Sequence, residues 1–310
     1  MTERQKGIAA LAFTLVAWSF SSLFVKFLMP YYDPWTQNVY RYASGMVLLL
    51  PLLVQRVRRN PALLGKQQLG RLLVPTIPNV VHQTAWVVAL LWIYPALSSF
   101  LNKSSVLFAA LMAFVFFPEE RWFLRSKRFL SGLGLTMAGT VGLALLRPDL
   151  DQMKMNLGVL LALLAAAGWA MYSVAAKRLA EELGSTVSFS VVSIYTTLAL
   201  LPMALAWGDL RRWNSTPWHV NAIMVFSGVF CIGVAHTTYF RAIKALGVSV
   251  CTTMLLTTPL GTLLISRWWF GERLTAGQIV SGMLLILGGA LTLLAREKPA
   301  EACLSPVSEA

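Results

Sequence analysis

Phe270-Gly271-Glu272-Arg273 follows an apolar run and precedes a helix rich in small residues, and Phe117-Pro118-Glu119-Glu120-Arg121 stands in the same setting earlier in the chain. Ser281-Gly282, with Gly289 seven residues further on, follows the later copy. Ser131-Gly132, with Gly139 seven residues further on, follows the earlier one. Trp18 precedes Lys26 by eight residues at the end of one apolar segment, as Trp169 precedes Lys177 in another. Independent spacings recur at an offset of about 150 residues, so the chain is two similar halves in tandem.

Composition sets the class. Of 310 residues 57% are apolar and only 13% charged, with a mean hydropathy of +0.64, which points to a polytopic membrane protein. The net charge of +13 does not indicate a nucleic-acid partner, because the basic residues sit in short loops instead of one patch interleaved with aromatics. Cys231, Cys251 and Cys303 form no even framework and read as packing residues. No metal and no cofactor are expected.

A bilayer core of about 30 Å needs roughly 20 mainly apolar residues per helix. Ten segments qualify: 7–29, 35–55, 69–93, 95–117, 128–147, 156–177, 186–207, 219–241, 246–269 and 275–295. The fold class is therefore an all-α integral membrane protein of two five-helix repeats, 7–147 and 156–295, with a cytoplasmic tail at 296–310. The first segment follows Arg4 and Lys6, but its apolar run is longer than a signal-peptide core and no small-x-small cleavage site follows. It reads as an uncleaved span. With the N-terminus inside, 17 of the 26 Lys and Arg fall on the cytoplasmic side and 8 outside, while Lys103 lies within a span. Both termini are expected to be cytoplasmic, in the inner or plasma membrane. An odd number of spans per half inverts the second half relative to the first, a transporter signature.

The inverted halves, the Ala-Leu-Gly turn at 245–247, the run Thr257-Thr258-Pro259-Leu260, the Phe-Gly-Glu-Arg-Leu-Thr stretch at 270–275 and the Ser-Gly-rich last helix together resemble an EamA-type member of the drug/metabolite transporter superfamily. The likeness covers nearly the whole chain and is looser in the first half, where Pro118 replaces the turn glycine and the fourth span carries no internal proline. It implies a basket of helices around a central cavity, lined chiefly by the third, fourth, eighth and ninth spans. Amino acids, sugars and nucleotide sugars are all substrates within that family.

Several residues have two readings. Glu120 and Glu272 fall at helix ends, where a carboxylate caps a neighbouring helix; a structural role is favoured over gating. The Gly132–Gly139 and Gly282–Gly289 pairs lie on one helical face each and allow close helix approach. Pro259 removes a backbone donor in mid-span and kinks the helix. Thr253 and Thr257 precede it, and their hydroxyls either re-satisfy that backbone or line the cavity. Lys103, beside Asn102, either snorkels to the rim or presents an ammonium to an anionic group of the substrate.

His82 with Trp86 in the third span, and His236 with Tyr239 in the eighth, share helical faces, and Asn79 extends the polar face of the third. Either histidine is a packed core residue or a substrate or proton group. Trp18, Ser22, Trp169, Tyr172 and Ser173 are repeat-related and near mid-span. All thirteen acidic residues fall in loops, tails or helix ends, which disfavours export of organic cations by a buried acid.

The expected activity is alternating-access movement, as an exporter, of a small amino acid-like, zwitterionic or anionic metabolite. A sugar or nucleotide-sugar carrier is the alternative. An intramembrane hydrolase built on Ser99 and Lys103 is disfavoured, since the sequence shows neither a desolvated lysine base nor an oxyanion hole; a non-transporting membrane protein is likewise disfavoured.

Overall fold

The computed structural model describes residues 1–89, 92, 101–145, 157–258, 260–261, 264–265 and 276–295. Every regular element among them is helical: α1 Glu3–Leu28, α2 Pro34–Arg59, α3 Lys66–Ala89, α4 Ser105–Phe116, α5 Lys127–Leu145, α6 Leu157–Leu183, α7 Ser185–Trp207, α8 Trp218–Leu246, α9 Val248–Met254 and α10 Ala276–Ala295, with short helical turns between them. The first two helices start with ordinary capping chemistry. Thr2 and Gln5 form a capping box on α1. Asp33 caps α2, whose first residue is Pro34. The Asp33 carboxylate also accepts from the Asp209 amide at 3.0 Å, which ties the end of α7 to the start of α2.

α1, α6, α7 and α8 contain stretches long and apolar enough to cross a membrane. The bundle is apolar on its outside: Val47 and Leu52 of α2, Leu198 and Leu205 of α7, and Ile286 of α10 are exposed, whereas Thr14, Asn79, Ser173 and Thr196 are buried. Water would penalise that surface over so many helices, and lipid would not. The protein is an integral membrane protein.

The most extensive helix contacts pair α5 with α10, α3 with α6, α2 with α7, and α1 with the C-terminal part of α8; α4 packs on α6 and α9. Glycine brings α5 and α10 together. A Cβ on Gly132 would lie 2.7 Å from Gly288 O, a Cβ on Gly288 would lie 2.6 Å from Gly132 O, and one on Gly139 would lie 2.6 Å from Ser281 O. Gly132 and Gly139 therefore share the packed face. On α10, however, the contact runs through Ser281 and Gly288. Gly282 faces the Leu260 side chain and Gly289 the Met254 sulfur, because one residue along a helix turns the side chain by about 100°.

A methyl group at this crossing has no room, whereas one at Gly134 meets nothing within 4 Å. Gly288→Ala is expected to destabilise by about 1–3 kcal/mol through overpacking. Gly134→Ala is expected to be neutral or to stabilise by up to about 1 kcal/mol from helix propensity. Unfolding of the two purified variants in detergent checks the opposite signs.

Two helices are interrupted at repeat-related places. Leu101–Asn102 is helical, Lys103–Ser104 forms a turn, and α4 begins at Ser105. α9 ends at Met254 and continues as a 3-10 turn over Leu255–Thr257. The first half therefore breaks its fourth helix without a proline. In the second half Leu255 is the residue four before Pro259, which lies outside the described residues; a proline has no N–H to offer that carbonyl. A third irregularity is the π-helical segment Gly228–Val234 within α8. Gly228 and Gly233 there pack on the backbone of α2 at Arg41 and Gly45.

Candidate functional site

The aromatic rings of α1, α6 and α8 converge at the centre of the bundle. Trp18 and Trp169, the repeat-related tryptophans, have ring centroids 5.2 Å apart and meet edge to face. Tyr239 lies 5.2 Å from Trp18 and stacks on Trp169 at 5.6 Å. His236 lies 5.1 Å from Trp18 and 6.0 Å from Trp169, and His82 of α3 lies 5.2 Å from Trp169. Such offset and T-shaped contacts are the favoured arrangements of aromatic rings. In this conformation the rings themselves occupy the centre.

The polar atoms of the cluster differ in how well they are served. Trp18 Nε1 donates to Cys231 O at 2.9 Å, inside the π-helical segment of α8. A carbonyl can only accept, so the 2.8 Å contact between His82 Nδ1 and Ala165 O puts the proton on Nδ1. Tyr239 donates to Ser173 Oγ at 2.9 Å, and Ser173 in turn donates to Trp169 O. By contrast, neither ring nitrogen of His236 has a hydrogen-bond partner among the described residues, nor does the Tyr172 hydroxyl, and all three atoms are buried. The carbonyls of Cys231 and Ile232 stand near the His236 ring without the alignment of a hydrogen bond. Unserved buried polar groups of this kind mark a place where a partner binds or the packing changes.

Asn79 stands apart from the rings: it donates to Thr196 Oγ1 at 3.0 Å and exchanges hydrogen bonds with the Tyr42 hydroxyl, which also accepts from Gln83. Trp86 is one turn beyond His82 and lines a different cavity, beside Arg41. Thr253 and Thr257 donate back along their own helix to Ser249 O and Met254 O, at 2.8 and 2.7 Å. Their hydroxyls thus serve local backbone.

Lys103 reaches across to the other half. Its Nζ donates to Thr258 Oγ1 at 2.7 Å and to Leu255 O at 3.3 Å, and so supplies the carbonyl that Pro259 cannot. Ser19, next to Trp18, donates to Thr258 O at 3.3 Å, which links this ammonium to the aromatic cluster. An ammonium has three donors, and the two bonds leave one. The Oδ1 atom of its neighbour Asn102 is buried without a partner among the described residues.

The Glu120 side chain is fully buried, and its hydrogen-bond partners among the described residues all come from the second half: Lys177 Nζ at 2.9 Å, the Val248 amide at 3.3 Å and Ser249 Oγ at 3.1 Å. It thereby caps α9, whose entry turns on Gly247 at a φ of 84°, a backbone conformation that suits glycine. Lys177 also sits over the Phe117 ring at 3.8 Å. Glu272 lies outside the described residues.

Sequence reading missed three features. Arg41, one of the eight basic residues that the charge count puts on the outer side, is only 5% exposed in the third turn of α2. Its nearness to the span end in sequence had concealed this. Phe189 of α7 stacks on His236 at 4.8 Å, and Tyr42 of α2 stands 6.3 Å from the same ring. Nothing in the local sequence of either singles it out.

A membrane bundle with interrupted helices meeting at an aromatic centre has the build of a solute transporter. The model of the EamA-like transporter family matches residues 5–145 and again 156–294, and the chain belongs to that family, within the drug/metabolite transporter superfamily. It is similar to an uncharacterized transporter of Archaeoglobus fulgidus, 24% identical over 287 residues that cover 91% of this chain and 95% of the relative. Another uncharacterized transporter, from Clostridium kluyveri, is 20% identical over 270 residues, 86% of this chain and 85% of that one. A solved crystal structure has the same fold, with a TM-score of 0.78 at 18% identity, covering 94% of this chain and 98% of that chain.

Proposed function

We propose that the protein exports a small amino acid-like metabolite, zwitterionic or anionic, by alternating access of two inverted five-helix halves, ten spans in all. The aromatic cluster carries this reading. Trp18 and Trp169 come from corresponding helices of the two halves, and the ring of His236, with its unserved nitrogens, packs against both. The helix pairing supports the two-fold relation: exchanging each helix with the one five further on turns α3–α6 into α8–α1 and returns α2–α7, α4–α9 and α5–α10 to themselves. Because the rings fill the centre, a solute enters only as the halves part. His236, His82 and Tyr239 then contact its polar groups, and the tryptophans its apolar portion. Lys103, at the meeting of the two helix breaks, offers its remaining N–H to the negative group.

Reconstituted in proteoliposomes, the protein is expected to accumulate radiolabelled amino acids above empty vesicles. Accumulation of sugars or nucleotide sugars alone would replace the substrate class, and no accumulation of any of these would overturn the reading. Trp169→Ala should abolish the flux.

Orientation has its own test. With both termini cytoplasmic, a cysteine placed beside Arg58 is expected to react with an impermeant maleimide only from the inside, and one beside Asp209 only from the outside. The reverse labelling would invert the assignment.

A further inference from the structure

Three guanidiniums gather at the C-terminal end of α4. Arg121 Nε donates to Phe114 O at 2.7 Å and its Nη2 to Val115 O at 3.2 Å, while Arg178 Nη2 donates to Phe116 O at 3.3 Å. Carbonyls at a helix end lack intrahelical partners and form its negative pole, which suits cations. Arg125 lies over the Phe114 ring at 5.1 Å, Arg121 lies 5.4 Å from the same ring, and Arg178 lies 5.7 Å from that of Phe117. All three arginines are exposed, and no carboxylate among the described residues pairs with any of them.

The helix end offsets only about half a positive charge of the three. Its carbonyls use two N–H groups of Arg121 and one of Arg178, and a guanidinium carries five, so most of these donors face outward. Arg121 belongs to the first half of the chain and Arg178 to the second. Each directly follows a member of the buried pair that joins the halves, Glu120 and Lys177.

An apolar stripe leads to these cations. Leu107, Leu111 and Val115 recur every four residues, so they share one face of α4, and all three are exposed. At 1.5 Å per residue the stripe spans about 12 Å, close to the hydrocarbon depth of one leaflet, about 15 Å. It ends at Val115, whose carbonyl Arg121 holds, and the exposed Trp122 follows Arg121 in the chain. Aromatic rings beside cations mark a membrane boundary. We propose that an anionic phospholipid binds here, its phosphate bridging Arg121 and Arg178 and an acyl chain lying along the stripe. A free anion leaves the stripe unused, and a choline head group sets a cation beside Arg125. The lipid thereby adds an exposed tie between the halves next to the buried one. Its effect on their movement rests on the transport reading, whereas the binding itself does not.

The test is a set of titrations of the full-length protein in neutral detergent, read as the thermal unfolding midpoint at constant ionic strength. The probes are dioleoyl phosphatidylglycerol, dioleoyl phosphatidylcholine and inorganic phosphate. In the wild type the midpoint should rise and saturate with phosphatidylglycerol, need about tenfold more phosphatidylcholine for the same rise, and stay flat with inorganic phosphate. Arg121→Gln and Arg178→Gln should each bring phosphatidylglycerol down to the level of phosphatidylcholine, because the phosphate needs both halves. The Arg178 side chain makes one hydrogen bond to α4, so its variant decides the matter if Arg121→Gln does not fold. Arg58→Gln/Arg59→Gln, which removes two charges at the end of α2, should keep the preference.

Equal responses of the wild type to the two lipids would overturn the site. So would loss of the preference in Arg58→Gln/Arg59→Gln, the mark of general surface charge, or a saturating rise with inorganic phosphate, the mark of an anion site without lipid. A preference lost in Arg121→Gln but kept in Arg178→Gln would refute the bridge between the halves.

Discussion

Glu120→Ala is expected to lower the stability of the folded protein by about 3–5 kcal/mol, the usual cost of leaving one member of a buried ion pair behind. Lys177 would keep its ammonium at 3% side-chain exposure without the carboxylate, and the Val248 amide and Ser249 hydroxyl would lose their acceptor. The double variant Glu120→Ala/Lys177→Met should recover part of the loss, because removing both charges leaves no uncompensated one. Unfolding of the single and double variants in detergent gives the coupling directly. A single-variant cost near 1 kcal/mol or less would mean that water reaches Lys177 and that the pair does not hold the halves together.

Lys103→Met is expected to weaken binding of an amino acid about tenfold to a hundredfold, from loss of a charge-assisted contact of roughly 1.5–3 kcal/mol. Lys103→Arg should restore only part, since a planar fork replaces a compact charge with rotatable donors. The variant also leaves Leu255 O to the Thr258 hydroxyl, 2.7 Å away, so some stability should be lost as well. Equilibrium binding of the purified variant, measured beside its unfolding midpoint, separates the two effects. If Lys103→Met folds and binds as the wild type does, the lysine serves only the helix break.

Much of the fold was legible because membrane helices announce themselves by length and apolarity, and because Trp18 and Trp169 repeat with their distant lysines. The rings of the centre were legible for the same reason: His82, His236 and Tyr239 stand near mid-span on helices whose neighbours are apolar. What spacing cannot convey is which way a helix is turned. Trp86 follows His82 by a single turn, yet it belongs to the Arg41 cavity, and Asn79 on the same face bonds Tyr42 and Thr196 instead of the rings. Gly288 takes the contact that spacing assigned to Gly282 and Gly289. The π-helical segment of α8 adds a further turn of the face that no hydrophobic period reveals. Arg41 was hidden by its place in the chain: a positive charge a few residues from a span end reads as a rim residue until Ser21 and the cavity are seen around it.

The partners of Glu120 also set an order on biosynthesis. Lys177 is made 57 residues after it and Ser249 129 residues after it. At about 5–20 residues per second, the carboxylate exists for roughly 6–26 s before its last partner is synthesised. Until then the first half holds an acid that none of its own described residues pairs with, and lipid would penalise its burial. The first five helices therefore have reason to stay loosely packed at that end, with Glu120 in contact with water or headgroups, until the ribosome has delivered the start of α9. The polypeptide closes around this carboxylate late, and a chain ending between the halves would never close around it at all.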